Sequence, residues 1–273
     1  MGKARVQEQF GASAAAYAVS QVHARGASLA RLVELIRPQP EWHVLDVATA
    51  AGHTALAFAP HVAHVTATDI TLPMLTVAAQ LAQDRDLANI SLLAADAENL
   101  PFADSRFDLV TCRIAAHHFP DVGRFLSEAA RVLRPDGLLA VVDNVVPGSR
   151  RRGKKAQRQR DAGRYVNTFE KLRDPSHYRC LSLPEWEEAF PAAGFELIHQ
   201  ETAPKQIDFD DWTARMRVSA ENRLRLRTLL LQAPEPVAEF LSPRSTSDKV
   251  SFQLAEAILI GGWAVARTQT TPA

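Results

Sequence analysis

His43-Val44-Leu45-Asp46-Val47-Ala48-Thr49-Ala50-Ala51-Gly52-His53-Thr54-Ala55 opens as an apolar run carrying one acid and passes into small residues. Helical spacing then begins at Ala55, Phe58 and Ala59. A buried parallel strand that enters a tight turn and a helix N-terminus has this form. Small side chains let backbone N–H groups come close to a ligand, and the first turn of the helix leaves donors unsatisfied. About twenty residues on, Val65-Thr66-Ala67-Thr68-Asp69 repeats the pattern, an apolar strand ending in an acid where a ribose diol needs acceptors. Two such strands with two such acids predict a nucleoside site.

Outward from this unit, residues 41–146 alternate between the two periodicities. Strands are predicted at about 43–47, 63–68, 90–94, 107–112 and 138–143, with helices near 53–59, 72–84 and 122–133. The right-handed crossover rule turns that alternation into an α/β, doubly wound parallel sheet. Upstream, residues 8–37 carry helical spacing through Phe10, Tyr17, Val22, Leu29, Leu32, Val33 and Ile36, ending before Pro38 and Pro40. Two helices are therefore expected across the mouth of the sheet, forming an N-terminal helical lid over residues 1–40. Phe10, Tyr17 and His23 read either as helix packing or as cover for a ligand, which makes Tyr17 and His23 candidate substrate contacts.

Downstream, residues 147–194 read as a basic linker and cap. The block Arg150-Arg151-Arg152-Gly153-Lys154-Lys155-Ala156-Gln157-Arg158-Gln159-Arg160 is either a solvated face or a surface that steers an anionic substrate. Ser182 with Glu185 forms a capping box, so a helix starts there and closes near Gly194. Residues 195–273 are expected to hold the last two strands, near 195–202 and 254–264, with a helical insertion at 208–241 that caps the site.

The chain of 273 residues, 47% of them apolar, has material for one large domain or one domain with a cap. Its 31 basic and 31 acidic residues cancel, leaving no global field toward nucleic acid or a membrane. Cys112 and Cys180 have neither metal-ligand spacing nor a disulfide framework, as in a reducing cytosol. The start lacks an apolar signal region, and Val6 stands where a myristoylation motif needs Ser or Thr. The longest uncharged apolar stretch, 257–266, is too short to span a bilayer. A cytoplasmic protein without a metal is expected, as a monomer or homodimer acting on a small molecule.

Six motifs follow one another in order: Val44-Leu45-Asp46-Val47-Ala48-Thr49-Ala50-Ala51-Gly52; Asp69 with Met74-Leu75; Asp96-Ala97-Glu98-Asn99-Leu100-Pro101-Phe102; Phe107-Asp108-Leu109-Val110; His117-His118-Phe119-Pro120-Asp121; and Arg131-Val132-Leu133-Arg134-Pro135-Asp136-Gly137. Together they closely resemble the class I S-adenosylmethionine-dependent methyltransferases, in the group similar to ubiquinone/menaquinone C-methyltransferases. The resemblance covers residues 41–146; Asp174-Pro175-Ser176-His177 and Phe209-Asp210-Asp211-Trp212 look like a cap of uncharacterised bacterial members. It implies a seven-stranded Rossmann-like sheet with the last strand antiparallel, and S-adenosylmethionine as cofactor. It further implies that Asp46 and the turn through Ala48, Thr49, Ala50 and Gly52 hold the methionine end, and that Asp69 holds the ribose hydroxyls. Asp96 with the Ala97 amide would meet the adenine edge, and Ile70 and Met74 its faces. Carboxylates suit these tasks independently, because they accept from hydroxyl and amino donors. Each acid also reads as a turn or cap residue. Arg113 reads as a holder of an anionic group or as a partner of Asp46 or Asp69.

One departure stands out: Ala48 and Ala50 occupy positions where the family usually has glycine. If either backbone takes positive φ, alanine costs about 1 kcal/mol. Retained but weakened cofactor binding is the expectation. The competing reading is a methyltransferase-fold protein acting as a non-methylating catalyst or a binding protein.

Methyl transfer is an in-line displacement at carbon, so the protein aligns nucleophile and sulfonium and excludes water. A base is needed only where the nucleophile still carries its proton. His118 is the first candidate and His117 the second, both just after the fourth strand on the ligand side. Asp143 and Asn144, at the end of the fifth, would orient a substrate hydroxyl or the base. His177 and Arg179 in the cap are further substrate candidates. Phe169, Trp186, Trp212 and Met216 indicate a small apolar or aromatic acceptor, or else form the core of the cap. Two cysteines do not supply the three thiolates a soft metalloid would want. Neutral charge, and Arg113-Ile114-Ala115-Ala116 in place of an Asn/Asp-Pro-Pro-Tyr or catalytic cysteine motif, argue against a nucleic-acid methyltransferase.

Overall fold

In the computed structural model, which describes residues 2–11, 26–246 and 249–263, the middle one of the five parallel strands is β1 (His43–Val47), with four of its five residues buried. In chain order the other strands are β2 (His64–Asp69), β3 (Ile90–Ala94), β4 (Phe107–Arg113), β5 (Leu133–Val145), β6 (Phe195–Asp208), β7 (Arg244–Ser245) and β8 (Val250–Trp263). Val44, Leu45, Val65, Leu109 and Val110 are all at most 1% exposed, because helices cover both faces of the parallel part and each side chain finds a core on either side. The sheet runs β3-β2-β1-β4-β5-β8-β6, parallel through β5, with β8 antiparallel to both of its neighbours. That path is the expected seven-stranded sheet. The two-residue β7 adds an eighth strand, paired with β8.

The helices are α1 (Gly2–Gly11), α2 (Ala27–Ile36), α3 (His53–Phe58), α4 (Leu72–Gln83), α5 (Val122–Val132), α6 (Lys154–Arg173), α7 (Leu183–Ala192), α8 (Phe209–Arg215), α9 (Ala220–Leu231) and α10 (Glu235–Leu241). Sequence chemistry sets several of their starts. Asp121 accepts from the Arg124 amide at the start of α5, and both arms of the Ser182/Glu185 capping box form at α7. Tyr17 and His23 lie outside the described residues.

Three apolar cores result. One lies under α5 and α7 (Phe125, Leu126, Trp186, Phe190, Phe195), and one under α2 and α3 (Leu32, Ile36, Phe58). The third joins α6 and α8–α10 to β6 and β8 through Phe169, Trp212, Leu226, Leu230 and Phe252. Trp186 thus belongs to the main core and says nothing about an acceptor, whereas Phe169 and Trp212 are core of the third cluster.

Two expectations are corrected in extent. β6 continues to Asp208 rather than ending near 202, because its pairing with β8 carries through Asp208↔Ser251 across the unpromising Pro204-Lys205. The insertion expected as one helical segment is three helices, α8 to α10. The basic block divides. Residues from Lys154 enter α6, while Arg150 donates to Pro184 O and Glu187 Oε2, and Arg160 to Ser149 O and Arg151 O. Among the described residues no helix is long and apolar enough to cross a membrane.

Candidate active site

The bend after β1 holds three residues in the left-handed region: Ala48 (φ 54°), Ala50 (φ 48°) and Gly52 (φ 80°). Hydrogen bonds from neighbouring strands impose this shape. The Thr49 amide donates to Thr68 O (2.8 Å) and the Ala50 amide to Asp69 Oδ2 (2.9 Å). From below, Asp46 accepts from the Thr49 hydroxyl (2.5 Å) and the Thr111 hydroxyl (2.7 Å). Burial drives the Asp46 carboxyl up to about 6, against the pull of those two hydroxyls. Gly52 has a packing reason as well, since a Cβ there would lie 3.0 Å from Ala78 Cβ on α4.

Asp69, at the end of β2, also accepts from the Thr71 amide through Oδ1 (2.8 Å), and burial raises its pKa. Asp96 Oδ1 accepts from the Glu98 amide (3.0 Å), and its Oδ2 faces Lys3 Nζ at 2.6 Å. Lys3 also meets Glu98 Oε2 at 2.6 Å, and Gln7 donates to Ile70 O (2.9 Å). Helix α1 therefore lies along this end of the crevice.

At the other end, the 3-10 turn after β4 presents two histidines. His117 Nδ1 is 2.6 Å from Asp143 Oδ1, and its amide donates to Asp143 Oδ2 (2.8 Å). A carboxylate only accepts, so Nδ1 carries the proton and neutral His117 has its lone pair on Nε2. Burial alone would lower this imidazole, but the Asp143 carboxylate more than offsets it and the net shift is upward. His118 Nδ1 lies 3.1 Å from Ser176 O, a carbonyl that also only accepts. Its Nε2 is 4.0 Å from Asp174 Oδ2, and Phe10 of α1 packs edge-on at 5.0 Å between centroids. Burial and then the His117 charge push His118 down, so it stays neutral. His177 is held by Nε2 donating to Asn167 Oδ1 (2.9 Å), and burial pushes it down too. The amides of Tyr178 and Arg179 both donate to His117 O at 2.9 Å, tying the cap to the β4 turn.

The methyltransferase-domain family matches residues 45–141, from β1 into β5. Over 257 residues the chain is 35% identical to the uncharacterized methyltransferase YcgJ of Bacillus subtilis (strain 168), spanning 93% of this chain and 96% of YcgJ. The chain belongs to the class I S-adenosylmethionine-dependent methyltransferases. The solved structure of YcgJ superposes with a TM-score of 0.78, at 34% identity over 86% of this methyltransferase and 97% of that chain. A Bacillus halodurans C-125 structure gives 0.80, at 35% identity over 87% and 99%. A demethylmenaquinone methyltransferase of Listeria welshimeri is 35% identical over 118 residues, which is 42% of this chain and 50% of that protein.

In this methyltransferase one crevice is lined by Ala48, Thr49, Ala50, Asp69, Ile70, Met74, Asp96, Ala97, Arg113, His117, His118, Asn144 and His177. Four expected residues are absent from that wall. Asp46 is 1% exposed behind the bend, with its oxygens bound to threonine hydroxyls, so it shapes the turn rather than touching a ligand. Gly52 packs against Ala78, and Asp143 stands behind His117. Arg179 points away from the crevice and pairs with Glu185. Arg113 forms neither expected carboxylate contact at hydrogen-bond range; its Nε donates to Thr54 Oγ1 (3.1 Å).

Other lining residues had no predicted role: Lys3, Ile114, Glu170, Asp174 and Lys205 among them. Ile114 is a β-branched residue at φ 54°, an outlier held by its amide donating to Val142 O at 2.6 Å. Glu170 was findable, because it falls on the same face of α6 as the buried Val166 and Phe169, where a carboxylate is out of place.

Proposed function

We propose that this chain moves the methyl group of S-adenosylmethionine to a small acceptor whose reacting atom gives its proton to His117. The donor set fits the cofactor. Asp69 and Asp96 are acceptors for hydroxyl and amino groups, Ile70 and Met74 are apolar plates, and the Ala48–Ala51 bend offers a close backbone cradle. Bound there, S-adenosylmethionine supplies an electrophilic methyl group. Asp69 would hold the ribose hydroxyls, Asp96 with the Ala97 amide the adenine edge, and the bend the methionine end.

The observation that carries the reading is the His117–Asp143 pair at 2.6 Å, whose imidazole lines the same crevice as that cradle. Asp143 fixes the ring and tautomer and leaves Nε2 to take a proton as the nucleophile attacks. His118, the first choice from sequence, meets a carbonyl through Nδ1 and has its carboxylate, Asp174, only at 4.0 Å; its ring borders the crevice and packs on Phe10. Ile207 of β6, Leu254 of β8 and Trp212 of α8 add an apolar wall that would help keep water from the acceptor.

Titration calorimetry with S-adenosylhomocysteine tests the cofactor half: heat of binding that disappears in Asp69→Asn is expected, and no heat with the unaltered chain sinks the proposal. The left-handed alanines imply affinity weaker than a glycine-lined bend would give.

A further inference from the structure

Around His117 the fold leaves two acceptor oxygens without a hydrogen-bond donor. Glu170 is 6% exposed, lines the crevice, and has no partner for Oε1. Its nearest cation, Arg173 Nη1, stands 3.7 Å from the other oxygen, outside hydrogen-bond range. Arg173 is itself committed, with Nε donating to Trp212 O (3.0 Å) and the guanidinium lying 4.8 Å from the Trp212 ring centroid. Asn144, the residue after the carboxylate that holds His117, lines the same crevice and likewise leaves Oδ1 unpaired.

A buried acceptor with no donor is a penalty that folding alone gives no reason to keep, most of all for a carboxylate in a helix whose neighbouring positions Val166 and Phe169 are buried and apolar. Such groups persist where a ligand completes them. The bend, Asp69 and Asp96 are assigned to the cofactor in the proposed function, which leaves these two oxygens of the same crevice for the acceptor. We infer that Glu170 is a specificity-determining residue which accepts a hydrogen bond from a second O–H or N–H of the methyl acceptor, adjacent to the group deprotonated by His117, with Asn144 Oδ1 as an auxiliary acceptor. The inference rests on the assignment of His117 as the base. It narrows the small apolar or aromatic acceptor to one that carries two neighbouring donors: the first would lose its proton to His117 Nε2 as its oxygen or nitrogen bonds to the methyl carbon, the methyl carbon–sulfur bond breaks and S-adenosylhomocysteine leaves, while the second donor is retained.

The probes are catechol, with two adjacent hydroxyls, and phenol, with one, titrated by NMR into the intact chain and into Glu170→Met and Glu170→Gln. The unaltered protein is expected to bind catechol about 10-fold more tightly than phenol, as one well-placed buried hydrogen bond allows. Glu170→Met should erase that ratio and Glu170→Gln, which keeps an acceptor oxygen, should restore part of it. Glu170→Met should also melt about 3 °C higher, because an unpaired buried acceptor has been removed. Equal affinities for the two probes, no binding of catechol, or a lower melting temperature for Glu170→Met each overturns the inference. S-adenosylhomocysteine titrated into the unaltered chain in parallel reports on the cofactor reading, and its failure leaves the catechol-to-phenol ratio standing.

Discussion

Lys3 Nζ lies 2.6 Å from Asp96 Oδ2, so a cation from the first helix already occupies the carboxylate proposed to meet the adenine amino group. The same ammonium reaches Glu98, Gln7 of the same helix donates to Ile70 O, and Phe10 lies against His118. Helix α1 thus touches both the nucleoside end and the histidine end of the crevice.

Lys3→Met should release Asp96 to the nucleoside. The Lys3–Asp96 pair is about a third exposed, with side-chain values of 38% and 33%, so it is worth at most about 1 kcal/mol. The dissociation constant for S-adenosylhomocysteine should fall by about fivefold. Calorimetry in parallel on Lys3→Met and the unaltered chain decides it; weaker binding by the variant would mean that Lys3 clasps the helix over the nucleoside instead of competing with it.

Ala48→Gly and Ala50→Gly should each stabilise the chain by about 1 kcal/mol, because glycine takes positive φ without the steric cost that alanine bears. That corresponds to a gain of roughly 2–4 °C in melting temperature. S-adenosylhomocysteine should bind more tightly to both. A thermal melt with either variant at or below the parent would show that the bend is not strained at these positions.

The His117 imidazole should titrate above 6.5, and Asp143→Asn should bring it down, since the carboxylate is what raises it. A raised folded value means that the stabilisation from the charged pair is complete below the unfolded pKa and is lost as pH climbs through the folded one. Proton acceptance needs the neutral ring, so turnover should increase with pH across the same interval, and Asp143→Asn should lower it by about 10²- to 10⁴-fold. Histidine NMR titration checks the first part without any acceptor in hand; a midpoint unmoved by Asp143→Asn would break the pairing.

Asp46 offers a second pH signature, of the same sign in stability but at lower pH. Its carboxyl rises from an ordinary 3.8 to about 6 through burial, so the native state binds a proton that the unfolded chain has released, and stability should fall as pH rises from about 4 to 6. The span is roughly 3 kcal/mol. Urea unfolding at pH 4, 5, 6 and 7 should show that slope in the parent and a flatter one in Asp46→Asn.

The order of strands and helices was legible because parallel strands buried on both faces must be written as apolar runs, and β1, β2, β4 and β5 are. The end of β6 was not, because Pro204 and Lys205 look like a loop until β8 is seen beside them. Within the site, the alanine positions could be flagged from sequence, but whether their φ is positive depends on hydrogen bonds to Thr68 and Asp69 on the next strand. Asp46 and Asp69 read alike as acids on adjacent strands, yet one is behind the bend and the other beside it. Lys3 and Asp96 are separated by 93 positions, and no local pattern links them. The ranking of His117 over His118 likewise turns on which ring meets Asp143, a fact of tertiary structure.

Two cap amides, from Tyr178 and Arg179, share the single carbonyl of His117. His117, the proposed proton acceptor, is therefore joined through its own backbone to the segment that follows α6. A displacement of that segment would have to break both bonds, and the ring position that Asp143 sets would be exposed to the same disturbance.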